Sequence, residues 1–164
     1  MLAAGHSTTS RALSVAIHYL ATHPDDQATL RADPDRIPTA VEEFLRIGPP
    51  LHLIGRTTAG TTTVCDFRIG PGSLVGLAFA SGNFDEDAFT HATTPDITRR
   101  PNRHLTFGIG PHICIGAPLA RMEMRVVVDE LLARTGTITP DGEPTEVGGL
   151  RSGYDRLAIR VTPA

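Results

Sequence analysis

The stretch that most constrains the fold of this chain is HLTFGIGPHICIG, residues 104–116, which puts a cysteine into a glycine-rich loop. A helix-compatible run, APLARMEMRVVVDELLAR, follows at once. Gly108, Gly110 and Gly116 allow positive φ values and close approach of the backbone to another group. A thiolate at a helix N-terminus is stabilised by the helix dipole, so Cys114 is predicted to be an anion beside a flat or bulky group. The alternative is a buried, inert cysteine in a turn.

Chain length and charge narrow the classes of protein that fit. A chain of 164 residues suits one domain with a real core. Its net charge of -3 and pI of about 6.1 predict no nucleic-acid surface. Cys65 and Cys114 form no CxxC pair, which argues against a disulfide framework and a structural zinc site. No apolar run of ~20 residues and no signal-peptide pattern are present, so we expect a cytoplasmic protein without a membrane span.

The first part of the chain reads as helical. Apolar residues recur at helical spacing in residues 2–22, and Pro24 ends the pattern, which predicts a helix already under way at Met1. Further helices are predicted over about 25–32 and 34–47. The AGHSTTS segment of the first helix contains poor helix formers, so it marks either a groove that contacts a ligand or a frayed end.

The second part of the chain reads as short strands and loops. Residues 51–77 alternate β-prone pieces with glycine and Pro-Gly turns and predict a small, mostly antiparallel sheet, with a short helix over 75–80. Residues 83–101 form a long irregular stretch, which is typical of a functional or wrapped segment. The chain is expected to end in a β-hairpin. The predicted class is mainly α with small β-sheets (α+β).

Four features in this order suggest a family: AGHSTT on a helix, Glu43-Phe-Leu-Arg46, an irregular stretch, and FGIGPHICIG before a helix. Together they closely resemble the C-terminal part of a bacterial cytochrome P-450, a heme-thiolate monooxygenase. The resemblance covers essentially the whole chain. It implies a single partial domain over residues 1–164, the C-terminal portion of the cytochrome P-450 fold, incomplete at its N-terminus.

The resemblance also divides the chain into four parts. Residues 1–50 would be the helical part, with the end of the oxygen-groove helix and the Glu-x-x-Arg helix. Residues 51–103 would be a β-rich part and meander loop, 104–134 the heme-ligand loop and following helix, and 135–164 the C-terminal hairpin.

The resemblance implies a heme b site around the cysteine loop. Cys114 would be the proximal ligand of the iron, where a thiolate favours O–O cleavage. Phe107 would pack beside that thiolate, and Arg56, His104 and His112 would contact the propionates. The residues assigned to heme binding in this way are Cys114, Phe107, His112, His104, Arg56, Gly110 and Gly116.

Two further groups follow from the resemblance. Glu43 and Arg46 stand three apart, which alone predicts only a surface ion pair, but the family implies a buried structural pair joined by Arg99 or Arg100.

Gly5, Ser7 and Thr8 match the oxygen-activating groove, in which an acid and an alcohol relay protons to dioxygen. Here Ser7 replaces the usual acid. Proton delivery is then expected to be slower, to pass through His6, or to suit another oxidative reaction.

The implied parent enzyme inserts one oxygen atom of O₂ into a small organic substrate, with electrons from NAD(P)H through a ferredoxin or flavoprotein reductase. Residues 51–54 and 150–154 would line the substrate pocket. Family members have a long portion before the groove, so this chain is expected to be a fragment, a truncated product or one half completed by a partner, with exposed apolar surface.

Two rival hypotheses remain open from the sequence. One is a truncated, non-catalytic remnant that binds heme weakly or not at all. The other is a zinc hydrolase with His104, His112 and Cys114 as ligands, although the loop holds no Asp or Glu to act as the base.

Overall fold

The computed structural model describes residues 2–164 and confirms a mainly helical fold with small antiparallel sheets. Met1, where the first helix was expected to be already under way, lies outside the described residues. The helices are α1 (Leu2–Thr22), α2 (Pro24–Ala32), α3 (Ile37–Ile47), α4 (Phe79–Asn83) and α5 (Ala117–Arg134), with single 3-10 turns at Pro34–Arg36 and Gly110–His112. The strands are β1 (Ile54–Thr57), β2 (Thr62–Val64), β3 (Phe67–Ile69), β4 (Leu74–Leu77), β5 (Thr135–Pro140), β6 (Thr145–Glu146), β7 (Tyr154–Arg156) and β8 (Ile159–Pro163).

The three predicted N-terminal helices are present, and local chemistry explains their ends. Helices α2, α3 and α5 each carry a proline in the first turn, where its missing N–H costs nothing. Asp25 and Asp26 add negative charge to the first turn of α2, which suits the positive end of its dipole. Gly48 caps α3, and two prolines follow it.

The AGHSTTS segment is part of α1. The Thr8 hydroxyl donates to the Ala4 carbonyl at 2.6 Å, and the Ser10 hydroxyl donates to the His6 carbonyl at 2.7 Å. Both bonds run back along the helix by four residues. The hydroxyls therefore share these carbonyls with the backbone hydrogen bonds, and the helix is not interrupted.

The predicted single sheet is two separate sheets. Strand β1 pairs with β4, and β2 pairs with β3, both antiparallel. The short helix predicted over residues 75–80 is wrong, because Val75 pairs with Arg56 in the β1–β4 ladder and the helix begins only at Phe79. Tertiary pairing here overrides a local pattern that did not distinguish helix from strand.

The expected C-terminal hairpin is confirmed, with an insertion. Strands β5 and β8 pair antiparallel, and the small β6–β7 pair lies between them in the chain. Gln27 of α2 holds β5 in place, because its side-chain amide donates to the Ile138 carbonyl and accepts from the Ile138 N–H, both at 3.0 Å.

The core forms where α1, α3 and α5 meet, with α2 and β5 closing its end. Its fully buried members include Ala16, Leu20, Leu30, Val41, Phe44, Leu45, Met124, Val128 and Ile138. Helix α1 approaches the end of α3 so closely that a Cβ on Gly48 would lie 2.4 Å from Val15 Cγ1. Within residues 2–164, no helix is long and apolar enough to cross a membrane.

Candidate functional site

Cys114 is exposed at the head of α5. Its N–H donates to the Phe107 carbonyl at 2.8 Å, and its own carbonyl accepts from the Ala117 N–H at 3.2 Å. A Cβ on Gly116 would lie 3.7 Å from Cys114 Sγ, so the sulfur passes close to the backbone of the N-cap residue. The loop is thereby closed on both sides of a thiol that faces solvent.

The loop turns through two glycines in the left-handed region. Gly108 has a φ of 72° and Gly110 a φ of 75°. A Cβ on Gly110 would meet nothing within 4 Å, so glycine is required there for its backbone angle and not for lack of room. The space beside this part of the loop is open.

The surface around Cys114 is apolar. Ile109, Ile113 and Ile115 are 71%, 59% and 88% exposed. Such a cluster of exposed branched side chains marks a binding surface more often than ordinary protein surface. A flat apolar group would cover it.

Arg56 and His112 are two of the donor side chains that the resemblance assigned to heme binding; Arg56 is half-buried and His112 is exposed. Arg56 lies on β1 and donates from Nη1 to the neighbouring Gly55 carbonyl, at 3.0 Å. His112 ends the 3-10 turn that precedes the cysteine. Both have donors to offer to an anionic group.

His104 differs from His112, because its side chain is only 2% exposed. Its Nε2 lies 3.2 Å from Glu42 Oε2, and its Nδ1 accepts from the Thr106 N–H at 3.3 Å. Both ring nitrogens therefore have partners within the protein. The structure brings His104 to α3 and not to the open face of the loop.

Phe107 packs partly buried against the core cluster beside the loop. The guanidinium carbon of Arg121 lies 4.5 Å from its ring centroid, and the His104 ring lies 6.0 Å from it. The phenyl ring is thus held on the helix side of the loop by a cation and a second ring.

Glu43 and Arg46 form a fully buried ion pair. Arg46 Nε donates to Glu43 Oε2 at 2.8 Å, and Nη2 donates to Oε1 at 2.7 Å. Arg99 adds a contact from Nε to Glu43 Oε2 at 3.2 Å, whereas Arg100 bonds the Thr39 hydroxyl. Of the two arginines considered from the sequence, Arg99 is therefore the one that joins the pair.

The carboxylate of Glu43 stays charged in this setting. Burial by itself raises the pKa of its carboxyl group, but hydrogen bonds from Arg46 and the Asp96 N–H, with the charges of Arg46 and Arg99, outweigh burial. The net result is a pKa below the usual value. Asn102 Nδ2 donates to the same carboxylate at 2.9 Å.

Asn83 is a structural member of this network that sequence reasoning missed. It is fully buried, its carbonyl accepts from Arg46 Nη1 at 2.8 Å, and its Nδ2 donates back to the Arg46 carbonyl at 3.0 Å. Its Oδ1 accepts from the Leu105 N–H at 2.6 Å. An asparagine at the end of α4 carries no local signal of these distant partners.

Glu42 is the second missed residue. Arg121 Nε donates to Glu42 Oε1 at 2.8 Å and to Oε2 at 3.0 Å, and Arg121 Nη2 donates to Oε2 at 2.9 Å. The same carboxylate also contacts His104. Burial tends to raise the pKa of Glu42, but the hydrogen bonds from His104 and Arg121 and the Arg121 charge lower it to about 2. Glu42 and Glu43 thus serve two different clusters.

The groove residues lie along the first two turns of α1. Gly5 and Ser7 are exposed, Thr8 is partly buried, and the next residue, Thr9, is 9% exposed. A Cβ on Gly5 would meet nothing within 4 Å. The Thr8 hydroxyl is oriented by its bond to Ala4.

The two segments expected to line a substrate pocket lie against each other. The His52 N–H donates to the Leu150 carbonyl at 3.1 Å, and His52 Nε2 lies 2.7 Å from Ser152 Oγ. Leu51, Leu53 and Leu150 are 40%, 41% and 62% exposed beside this polar pair.

The site chemistry fits heme better than zinc. An exposed thiol flanked by exposed isoleucines, with the exposed His112 two residues before it, suits an apolar group that carries a metal and anionic edges. In the part of the chain from Leu2 onward, no three His, Cys, Asp or Glu side chains are grouped as metal ligands. The zinc hypothesis is therefore wrong, because His104 is committed to Glu42 and Thr106.

Comparison with known proteins decides the family. The family model described as Cytochrome P450 matches residues 1–146. The chain belongs to the cytochrome P450 family. Cytochrome P450-terp from Pseudomonas sp is 38% identical over 162 residues, which cover 98% of this chain and 38% of that protein.

Solved P450 structures share the fold described above. CYP108D1 from Novosphingobium aromaticivorans superposes with a TM-score of 0.93 at 39% identity, over 98% of this chain and 39% of that one. P450BioI was solved with an acyl carrier protein that bears hexadec-9Z-enoic acid. It superposes with a TM-score of 0.92 at 34% identity, over 96% of this chain and 42% of that one. This chain therefore has a P450 fold but spans less than half the length of these P450 proteins.

Proposed function

We propose that this chain carries the proximal side of a P450 heme site, with Cys114 as the thiolate ligand of heme b iron. The exposed Cys114, held at the head of α5 by the Phe107 carbonyl, carries the proposal. Membership of the P450 family, whose cofactor is heme and whose members are monooxygenases, supports it. Bound heme supplies the activation of dioxygen.

The residues of this chain bind and orient that group. The Cys114 thiolate would hold the iron and supply electron density to it, and Ile109, Ile113 and Ile115 would exclude water around the sulfur. Arg56 suits a propionate carboxylate bidentately, and His112 offers one ring N–H. The ion pair of Glu43 and Arg46 is a structural element of the same half, since it fixes the irregular chain that leads to the loop.

Thr8 and Ser7 of α1 are proposed to hold and pass protons for the oxygen chemistry. The Thr8 hydroxyl donates its proton to the Ala4 carbonyl, which leaves its oxygen lone pairs available to accept a hydrogen bond. Ser7 contributes a hydroxyl where a carboxylate would be expected, so it transmits a proton but does not supply one from an acid.

The whole protein is proposed to insert one oxygen atom from O₂ into a small organic molecule, with electrons from NAD(P)H through a ferredoxin or flavoprotein reductase. Residues 51–54 and 150–154 are proposed to contact the substrate. The exposed leucines there favour an apolar body, and the pair of His52 and Ser152 adds a polar contact.

A second candidate is a non-catalytic remnant that binds heme weakly or not at all. One observation favours it for the isolated chain, since Leu119, Met122 and Val126 of α5 are 53%, 55% and 56% exposed. Apolar side chains so exposed on one helix leave part of the fold without cover.

Heme content separates the two candidates. We would produce the wild-type chain and its Cys114→Ala and Cys65→Ala variants with a heme precursor and measure heme per chain. The proposal expects about one heme per chain in the wild type and in Cys65→Ala, and a large loss in Cys114→Ala. Equal heme in all three would overturn the role of Cys114, and no heme in any of them would favour the remnant.

A further inference from the structure

One carboxylate joins three elements beneath the cysteine loop. Glu42 of α3 binds Arg121 of α5 through three contacts of 2.8–3.0 Å. Its Oε2 also lies 3.2 Å from Nε2 of His104, at the start of the cysteine loop. The Glu42 side chain is 21% exposed and the Arg121 side chain 32%, so solvent screens the cluster only in part. The geometry is the fork-to-carboxylate form that fixes orientation as well as distance.

A continuous series of contacts leads from this carboxylate to Cys114. The Arg121 guanidinium lies 4.5 Å over the Phe107 ring, and the Phe107 carbonyl accepts the Cys114 N–H at 2.8 Å. Phe107 therefore touches the cluster through its ring and the cysteine through its backbone. A shift of Arg121 would loosen the residue on which the cysteine N–H depends.

The hydrogen-bond geometry around His104 fits one tautomer of its ring. With the proton on Nε2, the ring donates to Glu42, and its bare Nδ1 accepts the Thr106 N–H. The Thr106 hydroxyl in turn donates to the Leu45 carbonyl of α3 at 2.7 Å. Two contacts thus tie the start of the loop to α3.

The neighbouring Glu43 serves different elements. Its partners are Arg46, Asp96, Arg99 and Asn102, which lie in α3 and the irregular segment before the loop. Phe107 belongs to the cluster of Glu42 and not to the partners of Glu43. Glu43 therefore holds the irregular segment, whereas Glu42 holds the cysteine loop.

We propose that Glu42, acting through Arg121 and His104, is a positioning residue that holds Phe107 and with it the backbone geometry at Cys114. His104 then supports the loop from within and is not a partner of a heme propionate. The inference rests on the proposed function in one respect, that Cys114 is the iron ligand.

Amide hydrogen exchange of the heme-free chain tests the contact series directly. Glu42→Gln keeps the size of the side chain and removes its charge, and Glu130→Gln is the matched control, since Glu130 pairs with Arg134 on the exposed face of the same α5. Arg121→Lys removes the fork-shaped contact to the Glu42 carboxylate from the other side, and it serves if Glu42→Gln does not fold.

In Glu42→Gln or Arg121→Lys, we expect the Cys114 amide to exchange at least about tenfold faster. The Asp33 and Asp141 amides, which bond the Thr29 and Ala158 carbonyls, should change less than about twofold. Glu130→Gln should leave all three amides near wild type. An unchanged Cys114 amide, or an equal acceleration of all three amides, would overturn the inference.

The reduction potential of heme-loaded protein gives an independent readout. Loss of the Glu42 charge should shift that potential relative to wild type, whereas Glu130→Gln should not, because ligand geometry and hydrogen bonding tune a thiolate site. Identical potentials in wild type and Glu42→Gln would contradict the inference. If no variant takes up heme, the proposed function fails while the exchange experiment still decides the role of Glu42.

Discussion

Arg46 and Glu43 meet in a two-point ion pair in which both side chains have zero exposure. Such burial costs several kcal/mol per charge and is offset only when every remaining donor and lone pair finds a partner. Arg46 Nη1 does so by donating to the carbonyls of Asn83 at 2.8 Å and Ala92 at 2.6 Å. The pair therefore joins α3 to the start and the middle of the irregular segment.

Removal of Arg46 should be severe. Arg46→Ala leaves the Glu43 charge and two carbonyls without their main donor, so we expect the free energy of unfolding to fall by about 3–5 kcal/mol. Urea denaturation followed by circular dichroism measures this. The matched control is Arg134→Ala, which breaks the exposed pair with Glu130 and should cost less than about 0.5 kcal/mol. Similar losses in the two variants would refute the structural role of the buried pair.

Acid should weaken the contribution of Glu42. Its pKa of about 2 in the folded protein lies below its usual value of 4.5, so its stabilising effect is complete above pH 4.5 and is lost as the pH falls towards 2. The free energy of unfolding of wild type should exceed that of Glu42→Gln at pH 7, and the difference should shrink between pH 4.5 and 2. A difference that is constant over this range would show that the Glu42 charge does not stabilise the fold.

The close approach of α1 to the end of α3 predicts a coupled pair of variants. A Cβ on Gly48 would overlap Val15, so Gly48→Ala should cost about 1–3 kcal/mol of unfolding free energy. Val15→Ala removes the two obstructing methyl groups but leaves the Cβ at 2.8 Å, so the overlap is relieved in part. The cost of the double variant should therefore be smaller than the sum of the two single costs by about 1 kcal/mol. Gly60→Ala, where nothing lies within 4 Å, is the control. Strict additivity would argue against the described packing.

Arg56 and His112, the side chains proposed to contact the heme carboxylates, should affect heme affinity without changing the iron ligand. Arg56→Ala and His112→Ala are each expected to raise the heme dissociation constant about tenfold, because each would remove the proposed charge-assisted contact to a heme carboxylate. Arg68→Ala, an exposed arginine on β3, should leave it unchanged. Heme titration followed by absorbance measures all three. If Arg68→Ala weakens heme binding as much as Arg56→Ala does, the loss comes from the overall charge of the protein, and the proposed contact of Arg56 is contradicted.

Local pattern was sufficient for the three N-terminal helices, for α5 and for two of the glycine turns in the cysteine loop. Proline in the first turn marks where α2 and α5 begin, and Gly108 and Gly110 adopt the positive φ values that glycine allows, whereas Gly116 has a φ of -83°. Spacing placed Glu43 and Arg46 on one helix face, but only the resemblance to a family indicated that the pair is buried. The spacing of two residues along a helix does not show whether their side chains are buried.

Long-range partners were beyond the reach of local pattern. His104 lies 62 residues from Glu42, and the short sequence around it gives no sign that its ring turns inwards. Asn83 lies 37 residues from Arg46 and shows no periodicity that marks it as buried. Strand β4 was predicted as the start of a helix, because a short apolar run fits either state until its partner β1 is known.

The most direct test of the central claim is the absorption spectrum of the heme-loaded chain after reduction and addition of carbon monoxide. Thiolate ligation by Cys114 predicts a Soret band shifted far to the red of that of proteins with a neutral axial ligand. Cys65→Ala should keep this band, and Cys114→Ser should lose it. A wild-type chain that binds heme but lacks the red-shifted band, or a Cys114→Ser variant that retains it, would contradict the assignment of Cys114 as the iron ligand.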